Sequence, residues 1–357
     1  MLNIKKISAI LSLILTFACA EKPTNEAFDL ESFLQDTTEG VILPIIVDFN
    51  QQATLLANSI EGYVNEPNAD DISDIRAQWL ATVLAYEKTY NFHFGPAKSK
   101  FLHQAIYNWP TVPKAIENTI SSKDITAETM AKVSPQIKGL AALEYLLFND
   151  GAEEIHEQLI NDAKRRIYLK ESANFIKSQA QRLSKIWDAE GDNYAQKFVT
   201  NKATGINSSF NLLFNGLYNA ANTAKVTKIG KPGGFEKSPR SSPDRVQAPY
   251  SNTSLELTNA SLKVIEDIFL STDHANISQY ISSIANDELT NERIKTAIFD
   301  IKEAITAIPV PLKQAVESHP EEVKALHEKL TALNIWMGVD ARSILSIIIT
   351  STDNDGD

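Results

Sequence analysis

The sequence predicts an all-α protein made of two packed helical bundles. Only 13 glycines and 14 prolines punctuate 357 residues, too few for a turn-rich all-β chain. Apolar residues recur over long stretches at helical rather than alternating spacing. The β-branched run Ile347-Ile348-Ile349 is too short to imply a sheet.

The segment from about Val41 to Val64 is apolar at helical spacing and stops at Asn65-Glu66-Pro67. Asn68-Ala69-Asp70-Asp71 then sets acids at the positive end of a second helix, which runs to about Tyr90. An aromatic loop, Asn91 to Pro96, leads to a short helix ending before Trp109-Pro110. A helical pattern from Pro135 to Phe148 halts at Asn149-Asp150-Gly151, and Ala152 to Glu190 contains neither Gly nor Pro. That stretch predicts one very long helix or two joined end to end. Gly191-Asp192 punctuates it, and another helix follows to about Ala224. Residues 225–250 hold six Lys/Arg against two acids among several Gly and Pro, the composition of an irregular, exposed excursion. Helical patterns resume over 252–271, 275–307 and 311–349, with Pro309 and Pro311 separating the last two. The expected division is a first bundle over 30–150 and a second over 151–357, with the irregular loop 225–250 inside it.

The start of the chain reads as an address. Lys5 and Lys6 precede an apolar run, Ile7 to Ala18, that ends at Cys19. The run falls short of the roughly 20 residues a spanning helix needs. A charged start, a short apolar core and small residues at the break mark a secretory signal. Thr16-Phe17-Ala18-Cys19 is similar to a lipobox, in which Cys19 is lipidated and becomes the first residue, although Thr16 stands where Leu is preferred. Residues 1–18 are then a lipoprotein signal peptide and 19–29 a tether. Ala20 after the cysteine points to the outer membrane of a Gram-negative cell. The expected product is a periplasmic protein on a lipid anchor.

The net charge of −11, with no strongly basic face, argues against nucleic acid as a partner, because phosphate binding needs clustered Lys and Arg. With Cys19 the sole cysteine, neither an internal disulfide nor a cysteine-based zinc or iron–sulfur site can form. Zinc peptidases of the common kind set two histidines at i and i+4 around a Glu. His156-Glu157 and His327-Glu328 each lack the second histidine, and both are expected to face solvent. His319-Pro320-Glu321-Glu322 reads as a helix start. Walker loops, dinucleotide fingerprints and Gly-x-Ser-x-Gly elbows do not occur in the sequence. Asp353-Asn354-Asp355-Gly356-Asp357 resembles the first half of a calcium loop but lacks its bidentate Glu.

The informative residues are charges set in apolar stripes. Around Glu144 the helical neighbours are Ile137, Leu140, Ala141, Leu147 and Phe148, so the carboxylate faces inward and needs an Arg, a metal or a proton. Arg76 has the same character, among Ile72, Trp79, Leu80 and Val83. Two lone opposite charges on core faces invite pairing. They are expected either to lock two helices as a buried salt bridge or to line a polar cleft between the bundles.

Gly139-Leu140-Ala141-Ala142-Leu143-Glu144 and the apolar run after it resemble the Gly-x-His-x-x-Glu signature of the imelysin family. Arg76-Ala77-Gln78-Trp79 is similar to the family's Arg-x-x-Trp. Phe94-Gly95-Pro96-Ala97 and Asn108-Trp109-Pro110 resemble landmarks of one branch. Tyr250-Ser251-Asn252-Thr253-Ser254-Leu255 resembles the serine-rich lead-in to a late helix, and Asp353–Asp357 the usual ending. In order, these landmarks cover most of the chain.

The resemblance implies an all-α, two-domain, periplasmic or lipid-anchored protein, with the signature near the interface between bundles and an association with iron uptake. It also brings a metallopeptidase label, the signature His and Glu being the metal ligands. Here Ala141 stands in place of that histidine, and a methyl group ligates nothing. Val83 and Tyr90 also replace residues that are often Arg and Glu. The expected function is a non-catalytic lipoprotein that binds a ligand or partner in bacterial iron uptake. Its candidate site is an interdomain cleft around Glu144, Arg76, Trp79 and Ser251, with Glu144 the candidate ligand if a metal such as iron binds. The alternatives are a metallopeptidase with a site assembled from residues such as Glu87, His93 or His103, and a structural partner of an outer-membrane receptor that docks through the basic loop Lys225 to Arg245.

Overall fold

The computed structural model describes residues 28–285 and 288–350, and every regular element among them is helical. The leader, Cys19 and the acidic segment Asp353–Asp357 lie outside the described residues. A continuous rod opens the fold: α1 (Leu30–Thr37), π-helical turns (Thr38–Ile42) and α2 (Leu43–Asn65). Asp29 caps it by accepting from the Ser32 N–H. By length and composition Leu30–Asn65 is apolar enough to cross a membrane. The apolarity has a core role, because Phe49, Ala53, Leu56, Ile60 and Tyr63 recur every three or four residues and are all buried.

In α3 (Asp71–Thr89), Asp71 and Asp74 occupy the first turn and Lys88 the last, in the sense the helix dipole favours. A 3-10 turn, Tyr90–Phe92, closes it. Four short helices follow, α4 (Gly95–Ser99), α5 (Leu102–Ile106), α6 (Pro113–Ser122) and α7 (Ala127–Lys132). They lead to α8 (Gly139–Phe148), which is buried on almost every side. Gly139 has φ +76°, and a Cβ there would stand 2.5 Å from the Ile106 carbonyl oxygen, so the tight approach of α8 to α5 requires glycine.

The Gly- and Pro-free stretch is two helices end to end, α9 (Ala152–Asn161) and α10 (Ala163–Trp187). The break is chemical: the Asp162 carboxylate accepts from the N–H groups of Lys164 and Arg165 and starts a new helix. Tyr168, Leu169, Ile176, Ala180 and Leu183 of α10 form a buried stripe, and α10 packs chiefly on α2 and α8. The helices α2, α3, α8 and α10 pack together, α3 and α10 each lying on α2 and on α8.

Beyond α11 (Tyr194–Val199) comes α12 (Ser209–Thr223), capped by the Ser208 hydroxyl. It continues through π-helical turns, Ala224–Gly230, into the three-residue α13 (Lys231–Gly233). The expected irregular excursion is thus helical over its first third. Lys228, Ile229, Val246, Gln247 and Ala248 from it are buried, because the segment folds back under the second bundle. That bundle is completed by α14 (Ser254–Leu270), α15 (Ile277–Ala285), α16 (Glu288–Ala307), α17 (Leu312–Ser318) and α18 (Pro320–Ile335), with π-helical turns Trp336–Ala341 and α19 (Arg342–Ile344) after them. Its core is α12, α14, α16 and α18.

The bundles meet where α3 lies on α14 and the Tyr90–Phe92 turn lies on α12. Asn91 crosses that seam, its amide donating to the Ser261 carbonyl and hydroxyl at 3.2 and 3.3 Å. Gly216 makes the approach possible, since a Cβ on it would fall 2.2 Å from the Asn91 carbonyl oxygen.

Candidate functional site

Glu144 is 1% exposed, and the segment leading into α14 closes over it. Its Oε1 accepts from the Tyr250 and Ser251 N–H groups, both at 2.8 Å, and from the Ser251 hydroxyl at 3.0 Å. The Ser251 hydroxyl also lies 2.9 Å from that of Thr253, and the Tyr250 ring meets Tyr145 edge-on at 5.5 Å. Two consecutive backbone N–H groups aimed at one oxygen form a small anion nest, here filled by a side chain of the same molecule. Burial pushes the Glu144 carboxyl up to about 7, against the pull of these donors and of the Lys313 charge. The group is a clasp between bundles, its carboxyl held above the ordinary range by burial.

Arg76 and Trp79 act on the backbone of the same helix. Arg76 Nε donates to the Leu147 carbonyl and Nη2 to the Asp150 carbonyl, each at 2.7 Å, and the guanidinium lies 5.2 Å from the centre of the Phe148 ring. It satisfies carbonyls that the end of α8 leaves open. Trp79, fully buried, donates from Nε1 to the Leu140 carbonyl at 3.1 Å. The Arg-x-x-Trp pair, one turn apart on α3, thus grips α8 near both ends. The expected ion pair between Arg76 and Glu144 does not form, because carbonyls take up the cation and N–H groups take up the anion. In place of an open cleft lined by both, Glu144 and Ser251 meet in a closed contact, while Arg76 and Trp79 hold the helix that carries it.

A second polar contact spans the seam. Lys228 Nζ lies 2.6 Å from Glu87 Oε2, with both side chains 3% exposed, and the Gln247 amide donates to Glu87 Oε1. Such a pair needs its extra hydrogen bond to offset desolvation. Tyr107 lies between the two carboxylates electrostatically: burial first, then the charges of Glu144 and Glu87, hold its hydroxyl well above the usual phenol range. Lys228 and Gln247 were hidden in the basic stretch. Glu87 carried a readable signal, since Val83 and Tyr90, one turn before and after it on α3, are apolar.

Other charges of the basic stretch are also engaged, Lys225 with Glu236 at 3.5 Å and Asp244 with Lys313 at 3.2 Å. The histidines expected to face solvent have partners. His156 Nδ1 lies 3.0 Å from the Tyr63 hydroxyl, and the His327 side chain, 13% exposed, sits 2.9 Å from Glu236. His93 and His103 come together, with ring centres 5.1 Å apart, but Glu87 turns from them to Lys228. Among the described residues no three His, Cys, Asp or Glu gather as a metal centre needs. The surroundings of Glu144 Oε1 suit hydrogen-bond donors rather than a metal. One turn before it stands the buried Ala141, and the dipoles aimed at Oε1 present hydrogens where a cation would need lone pairs.

Comparison with known proteins agrees with this architecture. The family model described as Imelysin, peptidase M75, matches residues 42–335. The iron-regulated protein A of Synechococcus elongatus is 26% identical over 250 residues, 68% of this chain and 64% of the relative, so the match spans less than two thirds of that protein. The crystal structure of an imelysin-like protein from Psychrobacter arcticum superposes with a TM-score of 0.73 at 17% identity, covering 91% of this chain and 99% of that one. Across most of its length, from α2 to the end of α18, the chain belongs to the imelysin family.

Proposed function

We propose that this chain is a non-catalytic member of its family that works in bacterial iron uptake by contacting a ligand or partner along the seam between its bundles. The observation that carries the reading is the state of the signature carboxylate. Glu144 accepts three hydrogen bonds from Tyr250 and Ser251, and Ala141 leaves it without the histidine a hydrolytic metal would share. A carboxylate oxygen that already accepts three hydrogen bonds has little left to offer a cation or a water. The seam suits a conformational role: it holds buried charges, a carboxyl displaced to about 7 and π-helical turns around Lys228, features that concentrate at functional sites. The iron association rests on a relative being an iron-regulated protein A, and the periplasmic, lipid-anchored placement on the leader and Cys19 alone.

The test is a deletion strain grown under iron limitation and assayed for radioiron uptake, with purified protein assayed against denatured casein with and without chelator. Slower uptake restored by the wild-type chain, with no chelator-sensitive hydrolysis, supports the reading. Unchanged uptake removes the iron role, and hydrolysis abolished by chelator removes the non-catalytic one.

A further inference from the structure

The start of the first rod lies against the second bundle beside α15. Phe28 stacks on Tyr280 of α15 with ring centres 4.6 Å apart, and Tyr280 meets Phe210 of α12 edge-on at 5.1 Å. Next to these rings is a groove of about 980 Å³, walled by the first turn of α1, the connection from α14 to α15, α15 itself and the first turns of α16. Its size is at the upper end of the range of small-ligand sites, about 300–1,000 Å³.

Eight of the fifteen side chains along the groove are hydroxyls or carboxamides, and only Phe28, Leu270 and Ala275 are apolar. Hydrogen bonds within the protein fix several of the polar groups. Asn276 and Gln279 cap the start of α15 reciprocally: Asn276 Oδ1 accepts from the Gln279 N–H at 2.8 Å, and Gln279 Oε1 from the Asn276 N–H at 3.1 Å. The Gln279 amide nitrogen keeps its own donors for a further partner. Asn291 of α16, 7% exposed, donates to the Ser278 carbonyl at 3.0 Å and to the Ser282 hydroxyl at 2.8 Å, and Ser282 donates to Glu288 Oε1 at 2.9 Å. In the same wall two buried atoms, Asn291 Oδ1 and Ser278 Oγ, have no hydrogen-bond partner among the described residues. Unpaired buried polar atoms cost stability and call for an explanation.

Asp29, Glu288 and Glu292 outnumber Lys295, which itself lies 3.6 Å from Glu292. The resulting field repels phosphate, sulfate and carboxylate ligands. Among the described residues these acids do not gather as a metal centre, and the sparse apolar lining lacks the pockets by which peptide side chains are read. A ligand rich in hydroxyls, each both donor and acceptor, matches the lining, and its C–H face matches an aromatic ring. We propose that the groove binds a short neutral saccharide. Its hydroxyls are shared among Gln279, Ser282 and Glu288, one of them completing Asn291 Oδ1 and Ser278 Oγ directly or through a water, while Phe28 takes its C–H face. Glu144, Tyr250 and Ser251 line no part of the groove, so the proposal is independent of the function proposed above.

The test is a glycan array carrying neutral oligosaccharides and their uronic-acid and sulfated counterparts, probed with the labelled chain from Ala20 onward. Calorimetry with the strongest neutral binder follows. The expected result is binding to neutral glycans, none to the anionic ones, and one site per chain. Gln279→Ala and Ser278→Ala should each weaken it about fivefold, the worth of one hydrogen bond, and Phe28→Ala by about as much. Ser278→Ala discards a hydroxyl unpaired in the free protein, so its urea unfolding should match wild type and its effect on affinity reads the ligand alone. Nuclear magnetic resonance of the wild-type protein needs no variant to fold: the side-chain amide signals of Asn276, Gln279 and Asn291 should shift first on titration with the glycan. Absence of binding to neutral glycans, preference for anionic ones, affinity unchanged in all three variants, or a groove that takes trilysine in place of sugars would overturn the proposal.

Discussion

Ser251 holds Glu144 twice, through its backbone N–H at 2.8 Å and its hydroxyl at 3.0 Å, and so ties the lead-in of α14 to α8 in the other bundle. The carboxylate that sequence similarity presents as a metal ligand here accepts three hydrogen bonds from Tyr250 and Ser251.

That position makes stability depend on pH in a defined sense. The Glu144 carboxyl is raised from 4.5 to about 7 in the folded state, so between those values the native protein binds more protons than the unfolded one. Stability from this group is full below 4.5 and is lost as pH rises towards 7, by about 3 kcal/mol. Urea unfolding of wild type and Glu144→Gln at several pH values in that window checks it. The variant should lack this part of the slope, and equal slopes would refute the assignment.

Glu144→Ala removes the acceptor of three donors and should destabilise the protein by about 3 kcal/mol at about pH 4.5, and by less near neutral pH. Ser251→Ala removes one of the three and should cost about 1 kcal/mol. Chemical denaturation of both variants measures the ratio.

Arg76→Ala should cost about 2 kcal/mol by uncapping the Leu147 and Asp150 carbonyls. Because Arg76 and Glu144 share no partner, a double-mutant cycle with Glu144→Gln should show coupling below about 0.5 kcal/mol. Coupling well above that would restore the ion pair.

At the second contact, Lys228→Met leaves Glu87 buried without its cation and should cost about 3–5 kcal/mol. Adding Glu87→Leu should recover much of that loss, because replacing both members of a buried pair by apolar residues is often neutral. A double variant no more stable than Lys228→Met alone would mean the pair does more than neutralise itself.

Much of the fold was legible where local chemistry decides it. The stop at Asn65-Glu66-Pro67 and the acids opening α3 mark real helix ends, and the uninterrupted stretch after Ala152 is helical apart from the cap at Asp162. Glu144 was legible as an inward charge because its neighbours on α8 are apolar. Of its partners, Ser251 was named only through the family resemblance, and the backbone N–H groups at 250 and 251 leave no trace in side-chain pattern. Arg76 misled for the same reason, as its acceptors are carbonyls. Lys228 was concealed by composition: in a stretch rich in Lys, Arg, Gly and Pro, nothing local tells the buried lysine from the exposed ones, and its partner Glu87 is 141 residues away.

The measurement that bears most directly on the signature carboxylate is calorimetric titration of wild type and Glu144→Gln with ferrous, ferric and zinc ions, fold being checked by circular dichroism. If Glu144 is a clasp, any saturable binding has the same affinity and stoichiometry in both proteins. Saturable iron binding present in wild type and lost in Glu144→Gln would make Glu144 a metal ligand and contradict the account.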